Sequence, residues 1–574
     1  MTVDDARAQA KAFHQMVPPR LAEARPHWLE VVKALPMDGE ANLGLGVIHI
    51  MVDNRPDLAI GPLAKAAEAM PENLGAISNL GTAYAMLQRH DDALIQFERS
   101  LALKPDDANT QFNLGVIKAA VGRAREAMVH YDRALELDPR HAVAHSNAIY
   151  MRDLLADDED AARMRRLWNE RHAQPLKQGW TAHRNDRTPG RRLRIGYVSG
   201  DVAFHSAMFI LKPIIEHHDR DQFELFMYSS TLKHDTYTDW FRDEVRWRNV
   251  APAPPDYIAQ LIRRDQIDIL VDLSGHSREN RMMVFAMKPA PVQVTAWGHA
   301  LGTGLDAIDY FFTDRICVPP AHEDRYAEQV IHLPSIICWQ AQQPTPPLAA
   351  VPAATKGYVT FGAYNRLEKV SEPALDLWAD VLRAVPTSQL IIKCADMEHP
   401  RHRDRILAAF RERGVETARI FIKGRTVHYE HMHQISQVDI MLDPFPHGGG
   451  ILGLETFWMG VPTVTLCGTN IPGRLMTSFA TTLGLPEWVA ATPAEYTTIA
   501  IQAAQDVPRL VALRATLRER MGRSILMDHA AYTKIVEDHY RWMWKRYCER
   551  TQDPLTERAV VSPAMMPGCV SVRS

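Results

Sequence analysis

The sequence lacks a long apolar stretch, a cysteine pair and an excess of charge of one sign. No run approaches the ~18 apolar residues of a membrane-spanning helix, and the first fifteen residues, which carry acids early, contain no apolar core of a signal peptide. The six cysteines form no CxxC pair, which favours reduced core thiols over a disulfide or zinc framework. The net charge of -4 supplies no basic field for nucleic acid or anionic lipid. We therefore expect a cytoplasmic protein with no membrane and no nucleic-acid partner.

The sequence also has no DxD pair at the carboxyl end of a predicted strand. The run Asp158-Glu159-Asp160 falls in a predicted connecting helix instead. A divalent metal is therefore not implied, and no Ser-His-Asp or Cys-His arrangement has a supporting context. We expect no metal ion and no cofactor.

What the chain has instead is a repeat at a fixed offset of 34 residues. Small residues recur where two helices would touch, bulky residues recur where they would fill the seam, and a proline ends each second helix, as in tetratricopeptide units. Such units bury their apolar faces only by stacking into a solenoid with a concave groove. We predict this α-solenoid over residues 1–155. The matching residues are Leu80, Gly81, Ala93, Phe97 and Pro105, and then Leu114, Gly115, Ala127, Tyr131 and Pro139.

Three asparagines follow the same offset. Asn79, Asn113 and Asn147 each fall on the first helix of a repeat. A single asparagine there would merely cap or solvate a helix. Three in register predict a ladder of amide groups along one groove wall, and such a ladder can bind the extended backbone of a protein or peptide partner.

The remainder of the chain alternates predicted strands and helices, which indicates parallel sheets in two Rossmann-like domains of the GT-B arrangement. The fold class is therefore an N-terminal α-solenoid followed by a pair of α/β domains. The predicted strands are Leu193–Ser199, Phe223–Ser229, Ile267–Leu273, Val292–Trp297, Tyr358–Phe361, Gln389–Lys393, Ile420–Lys423, Val438–Leu442 and Thr463–Leu466. The predicted segments are a connecting helix and linker at 156–190, an N-terminal lobe at 191–339, a proline-rich hinge at 340–356, a C-terminal lobe at 357–525, a closing helix at 526–552 and a loose tail at 553–574.

A glycine-rich loop is the strongest candidate site, because ligands of parallel sheets bind beyond the carboxyl ends of strands. It starts at Asp443, passes Gly448, Gly449 and Gly450, and enters a helix that contains Glu455. Glycines let a backbone approach an anion, and the helix amino terminus offers free N–H groups. A pyrophosphate fits there, and the Glu455 carboxylate suits ribose hydroxyls. The alternative is an ordinary strand-to-helix turn.

Other loops at predicted strand ends carry polar groups. Arg366 and Lys369 follow the first strand of the C-terminal lobe and can neutralise a diphosphate. His205 follows the first strand of the N-terminal lobe and suits proton transfer, although a structural histidine is an equal alternative. We also assign His428 and His431 to the nucleotide side, where one ring can stack on a base. The predicted acceptor-side residues are His276, His299, Gly302 and Thr303.

Taken together, these motifs resemble the O-GlcNAc transferase/SPINDLY family over roughly residues 40 to 545. The resemblance implies an inverting, metal-free transfer of GlcNAc from UDP-GlcNAc to Ser or Thr of proteins. It also implies that Lys369 holds the donor diphosphate, that His205 is the motif histidine, that His431 stacks on the base and that Glu455 lies near the ribose. The asparagine ladder would match the peptide-guiding groove of the family. The segments that carry the resemblance are LRIGYVSGDVAFH, VDLSGHSRENR, KPAPVQVTAWGHALGTGLD, NRLEK and LDPFPHGGGILGLETFWMGVPTVTL.

The chain departs from the animal members at the glycine loop. Those members have His-Thr-Thr where this chain has Gly450-Ile451-Leu452, so three polar groups are missing beside the predicted diphosphate. Arg366 replaces their glutamine and adds a cation. Three interpretations therefore stay open at this point: transfer of GlcNAc, transfer of fucose from GDP-fucose or of a sugar to Asn, and a repeat scaffold whose catalytic lobes have decayed.

Overall fold

The computed structural model describes residues 1–16, 19–251, 253–299 and 301–549, in two compact units. The first unit runs from Met1 to Met151, and the second begins at Arg152. The predicted tail at 553–574 lies outside the described residues, as do the last three residues of the predicted closing helix, 550–552. Among the described residues, no helix combines the length and the apolar character needed to cross a membrane.

The first unit consists of helices paired as the repeat predicts. Asn73 and Asp107, 34 residues apart, each cap the first helix of a repeat by accepting a backbone N–H bond. A Cβ at Gly81 would lie 2.8 Å from the Phe97 ring, so glycine is required where the two helices touch. The helices are α1 (Val3–Gln15), α2 (Leu21–Ala34), α3 (Gly39–Met51), α4 (Pro56–Ala69), α5 (Leu74–Met86), α6 (His90–Leu103), α7 (Ala108–Ala120), α8 (Ala124–Leu137) and α9 (Ala142–Leu154), the last of which continues into the second unit.

The second unit begins with a connecting segment and the N-terminal lobe. Helix α10 (Asp158–Trp168) continues as a π turn at Asn169–Ala173 and a 3-10 turn at Gln174–Gly179. The lobe is a parallel sheet in the order β3-β2-β1-β4-β5-β6-β7. Its elements are β1 (Leu193–Ser199), α11 (Met208–His217), β2 (Phe223–Ser229), α12 (Thr236–Glu244), β3 (Arg246–Asn249), α13 (Pro255–Arg264), β4 (Ile269–Asp272), α14 (Met282–Ala286), β5 (Val292–Thr295), β6 (Tyr310–Thr313) and β7 (Gln329–His332).

The C-terminal lobe is a second parallel sheet, in the order β10-β9-β8-β11-β12-β13. Both lobes therefore share one doubly wound topology, and the predicted fold class is confirmed. The elements are α15 (Pro352–Lys356), β8 (Thr360–Tyr364), α16 (Glu372–Ala384), β9 (Gln389–Lys393), α17 (Pro400–Glu412), β10 (Ile420–Lys423), α18 (His428–Ile435), β11 (Ile440–Leu442), α19 (Ile451–Trp458), β12 (Thr463–Leu466), α20 (Ile471–Thr482), β13 (Val489–Ala490), α21 (Pro493–Gln505), α22 (Val507–Gly522) and α23 (His529–Glu549).

The segment predicted as a linker is fixed to the N-terminal lobe. The Trp180 indole N–H donates to the Ala286 carbonyl at 2.8 Å, and the Asn185 amide donates to the buried Asp268 carboxylate at 2.7 Å. The predicted hinge also contains regular structure, because its last five residues form α15, where the Ala353 N–H donates to Asp439. Both stretches thus belong to folded lobes.

Helix α23 packs against the N-terminal lobe. The Glu537 carboxylate accepts hydrogen bonds from the His218 ring and from the Asp219 backbone N–H, at 3.0 and 2.8 Å. The Trp297 indole donates to the Tyr532 hydroxyl at 3.0 Å. The last helix of the described residues therefore packs against the first lobe of the second unit.

Candidate functional site

The glycine loop lies between β11 and α19, at the carboxyl edge of the second sheet. The Asp443 carboxylate fixes its shape by accepting the Gly449 N–H at 2.7 Å and the Thr465 hydroxyl at 2.8 Å. A Cβ at Gly448 would lie 2.7 Å from that carboxylate, so the loop can close around Asp443 only with glycine there. Burial raises the pKa of Asp443 to about 6.

The amino terminus of α19 is open toward this loop. Its capping position is Gly450, and no side chain in the described part of the chain caps the helix. The first backbone N–H groups of a helix have no partner within the helix, and together with the helix dipole they attract anions. The turn therefore has the geometry of a phosphate cradle.

The structure brings Lys369 to the glycine loop from a different strand end. It follows β8 in a 3-10 turn at Leu367–Lys369, and its ammonium donates to the Gly448 carbonyl at 2.8 Å. Burial, with a smaller contribution from Arg366, lowers the pKa of Lys369 to about 7, against the opposing effects of Asp443 and Glu368. The exposed Arg366 guanidinium pairs with Glu368 at 2.8 Å. A cation and the helix terminus thus meet at one point.

A second group of side chains surrounds Glu455 on the first turns of α19. The buried Glu455 carboxylate lies 3.3 Å from His431 Nε2 and 3.8 Å from His428 Nδ1. The Lys393 ammonium lies 2.8 Å from His431 Nδ1. Burial lowers the pKa of Lys393 to about 8. Burial also lowers the pKa of His428. The sequence analysis missed Lys393, although a lysine that ends the apolar strand β9 was a usable signal.

His205 lies on the loop after β1 and is exposed. Its Nδ1 atom is 3.7 Å from the Asp201 carboxylate and accepts the Ala207 N–H at 3.3 Å. The adjacent Phe204 ring is 56% exposed and packs edge-on against Phe209 and Tyr237. This histidine is therefore available to a ligand at the carboxyl edge of the first sheet.

The predicted acceptor-side residues cluster, but two of them lie in the interior. His276 Nε2 bonds the Thr303 carbonyl at 2.8 Å, and the His276 ring packs edge-on against Trp168. Both His276 and Thr303 are buried, and burial lowers the pKa of His276 to about 3. Their side chains shape this loop from within, and their role on the acceptor side stays a prediction.

The other two acceptor-side residues belong to the same loop. Gly302 has a φ of +69°, and a Cβ there would lie 2.5 Å from the Tyr326 ring. The His299 ring lies 3.6 Å from the Asp153 carboxylate. Asp153 also pairs with Arg165 of α10 at 2.6 Å. The loop is thus held by the connecting segment, a contact that the sequence did not predict.

The three asparagines occupy equivalent positions on α5, α7 and α9, and all are half-buried. The Asn79 amide donates to the Gly75 carbonyl of its own helix at 2.8 Å. The Asn147 amide donates to the Tyr131 hydroxyl at 3.4 Å. Asn113 forms no side-chain hydrogen bond among the residues that the structure describes. Their peptide-binding role remains a prediction.

No group of three or more His, Cys, Asp or Glu side chains able to hold a metal ion occurs among the described residues. The charged groups of the site are instead the lysines, the histidines and the carboxylates of Asp443 and Glu455.

Known proteins are similar to this chain in sequence and in fold. The chain matches the family model described as glycosyl transferase family 41 over residues 135–340 and 353–536, and tetratricopeptide models over residues 20–73 and 72–140. It is 37% identical over 399 residues to a probable UDP-N-acetylglucosamine--peptide N-acetylglucosaminyltransferase SPINDLY of Solanum lycopersicum, covering 68% of this chain and 43% of that protein. The SPINDLY protein of Petunia hybrida is 37% identical over 381 residues, covering 65% and 41%. The chain thus spans less than half the length of these curated relatives.

One solved structure is similar over most of both chains. It is a lysine-to-methionine mutant of an O-GlcNAc transferase from Thermobaculum terrenum, with a TM-score of 0.83 and 32% identity. The similarity covers 89% of this chain and 98% of that one. The repeats and both lobes are therefore shared as one arrangement of domains along the chain.

Proposed function

The chain belongs to glycosyl transferase family 41, and from this premise we propose that it is a protein glycosyltransferase that uses a nucleotide sugar. One observation carries the proposal: the Lys369 ammonium, the Gly448 carbonyl and the open amino terminus of α19 meet at the carboxyl edge of one sheet. Such a cluster stabilises the negative charge that develops on a departing diphosphate. The binding of a nucleoside diphosphate is the function that this geometry supports best.

In the proposed reaction, a Ser or Thr hydroxyl oxygen attacks the anomeric carbon of the donor sugar. A new C–O bond forms while the bond to the diphosphate oxygen breaks, and the electron pair leaves with the diphosphate. The hydroxyl proton passes to His205 or to a phosphate oxygen of the donor. Attack from the face opposite the leaving group inverts the anomeric centre. Lys369 and the helix terminus stabilise the leaving group.

We propose UDP-GlcNAc as the donor, because the relatives carry that substrate in their names. The His428 and His431 rings would face the base, and the Glu455 carboxylate the ribose. The acceptor would be a polypeptide bound along the groove of the repeats by Asn79, Asn113 and Asn147. The proposal involves no metal ion, so transfer should persist in the presence of a chelator.

The direct test is calorimetric titration of the full chain with UDP and with GDP, followed by transfer of labelled GlcNAc to proteins of a mixed lysate. Binding of UDP with transfer of label supports the proposal. Preferential binding of GDP, with transfer from GDP-fucose, would redirect it to a fucosyltransferase.

A scaffold without catalysis is the second candidate, because Ile451 and Leu452 leave no polar side chain at the first turn of α19. Absence of binding and of transfer with every donor would favour that scaffold. If transfer occurs without a chelator and is lost when one is added, the metal-free chemistry is contradicted.

A further inference from the structure

Helix α10 contacts the C-terminal lobe at the edge where the candidate donor site lies. The Asp158 carboxylate accepts a hydrogen bond from the Thr469 hydroxyl at 2.7 Å and another from the Asn470 amide at 2.9 Å. Thr469 and Asn470 form the turn between β12 and α20. Helix α10, which lies in the connecting segment before both lobes, thus holds the turn between β12 and α20 of the C-terminal lobe.

Asn470 is connected to the glycine loop through the start of α20. Its side-chain oxygen caps this helix by accepting the Gly473 N–H at 3.0 Å. The Pro472 carbonyl, one residue earlier, accepts the Gly448 N–H at 3.1 Å. A Cβ at Gly473 would lie 2.7 Å from the Pro446 carbonyl oxygen, so the two segments pack without free space. A displacement of Asn470 must therefore displace Gly448.

The opposite end of α10 is fixed to the N-terminal lobe. The Arg165 guanidinium donates to the Gly302 carbonyl at 3.2 Å and pairs with Asp153. Immediately after the helix, the Asn169 side chain accepts the Asp306 N–H at 3.3 Å. Helix α10 is therefore fixed to the N-terminal lobe at one end, while Asp158 at its other end binds the C-terminal lobe.

We infer that Asp158 and Asn470 are positioning residues of the donor site, because their hydrogen bond fixes the start of α20 and, through Pro472, the Gly448 carbonyl that holds Lys369. The inference rests on the proposed function, since it assumes that the glycine loop binds the donor diphosphate. Neither residue touches the donor in this arrangement. Their effect is on the affinity of a loop whose shape they set.

The inference can be tested by exchanging the hydrogen-bond donor and the hydrogen-bond acceptor between positions 158 and 470. D158A removes the acceptor, and N470D places two carboxylates face to face, so each single change breaks the bond. The double variant D158N/N470D restores it in the reverse direction, while the carboxylate at position 470 still caps α20. The matched control is E159Q, since Glu159 is the next residue of the same helix, is exposed, and forms no hydrogen bond or ion pair among the described residues.

The measurements are the Kd of UDP by calorimetry and the donor KM and kcat of the full chain. Each single variant should raise the Kd and the donor KM about fivefold, at the lower end of typical coupling between sites. The kcat at saturating donor should change less than about twofold, since the bound loop is the same once it has formed. E159Q should bind UDP with the Kd of the unmodified chain. The double variant should have a Kd within about twofold of that same value.

The outcomes separate this inference from the proposed function. If the unmodified chain binds UDP and both single variants bind it equally well, Asp158 and Asn470 have no positioning role. A double variant that stays as weak as the single ones would also overturn the inference, even where one single variant fails to fold. If the unmodified chain binds neither UDP nor GDP, the proposed function falls and the inference falls with it.

Discussion

The Lys369 ammonium has lost much of its hydration, and among the described residues it donates only to a neutral carbonyl, that of Gly448. A buried cation of this kind is costly unless a negative charge approaches it. The Asp443 carboxylate opposes the cost in part, although its own pKa is raised to about 6 by burial. A donor diphosphate would provide the missing charge. At the scale of the residue, the site is therefore prepared for an anion.

Replacement of Lys369 by alanine should raise the Kd of UDP about tenfold to a hundredfold, because a hydrogen bond to a charged group contributes about 1.5 to 3 kcal/mol. Calorimetric titration measures the change. The control is Lys356→Ala, since Lys356 is an exposed lysine that precedes β8 at the opposite, amino edge of the same sheet. Equal affinities for the two variants would remove Lys369 from the donor site.

The pH dependence of UDP binding should report on the same lysine. Because the pKa of Lys369 is lowered to about 7, its ammonium form is lost as the pH rises above this value in the free protein. A bound diphosphate favours the ammonium, so binding takes up a proton and affinity falls as the pH increases from about 7 to about 8.5. Titrations in buffers of different ionisation enthalpy measure this uptake. The variant Lys369→Arg stays charged and should lose it; a persistent uptake would point to another group.

At the scale of the element, the glycine loop shows why three adjacent glycines are not equivalent. A Cβ at Gly448 would lie 2.7 Å from the Asp443 carboxylate and 3.3 Å from the Pro472 carbonyl, whereas a Cβ at Gly450 meets no atom within 4 Å. Gly448 is thus fixed by packing. Gly450 leaves open space above the first turn of α19, where a phosphate would lie.

Gly448→Ala should lower the free energy of unfolding by about 1 to 3 kcal/mol, the usual cost of overpacking, and should also weaken UDP binding. Gly450→Ala should change stability by less than about 0.5 kcal/mol. Chemical denaturation, followed by calorimetry on the folded variants, measures both effects. Equal stability losses in the two variants would contradict the contacts around Asp443.

The two sheets share a hydrogen bond at the carboxyl ends of their central strands, from a threonine hydroxyl to a buried aspartate. In the first lobe, the buried carboxylate of Asp272, the last residue of β4, accepts a bond from Thr295 of β5 at 2.8 Å. In the second, Asp443 after β11 accepts one from Thr465 of β12 at the same distance. Burial raises the pKa of Asp272 to about 6 as well. The lobes thus share this hydrogen bond as well as their topology, and in the second lobe a lysine and the uncapped start of a helix lie beside the carboxylate.

At the scale of the whole molecule, α23 ties the end of the described chain to the N-terminal lobe. Glu537→Ala should lower the free energy of unfolding by about 2 to 4 kcal/mol, since it leaves the buried His218 ring and the Asp219 N–H without their acceptor. The control is Asp538→Ala, which breaks only a partly exposed ion pair with Lys534 and should cost less than about 1 kcal/mol. Denaturant unfolding compares the two; similar losses would show that α23 contributes no special contact through Glu537.

The repeats should affect the acceptor and leave the donor reaction unchanged. Asn113→Ala is expected to lower kcat/KM for a protein acceptor about threefold, the effect of one lost hydrogen bond. Hydrolysis of the donor in the absence of acceptor provides the internal control and should stay constant. A parallel loss of both rates would indicate a change in the lobes, and no loss of either would remove Asn113 from the peptide path.

Sequence reasoning succeeded where the determining contacts are local. The seam between Gly81 and Phe97 follows from a repeat of 34 residues, and the apolar run Leu193–Ser199 identifies β1 by itself. It missed β3, because Arg246–Asn249 is a short polar edge strand that has no apolar pattern. The approach of Lys369 to the glycine loop was predicted from the shared edge of a parallel sheet.

Contacts between distant segments could not be predicted in this way. His276 is a plausible ligand in the sequence, but Trp168 of the connecting helix and the Thr303 carbonyl enclose it. Lys393 reaches His431 only because β9 and α18 lie at one edge of the folded sheet. The surroundings of such side chains depend on contacts between segments more than a hundred residues apart in sequence, or between neighbouring elements. The periodicity of the sequence does not encode these contacts.

The burial of Trp168 decides where this polypeptide can be divided. A fragment that starts at residue 191 keeps every strand of both sheets but loses the Trp168 indole, which is 1% exposed, together with the Asn185 amide that donates a hydrogen bond to Asp268. Removal of so large an interior group leaves a hole that neighbouring side chains cannot fill. Expression of the second unit by itself should therefore start upstream of Arg152.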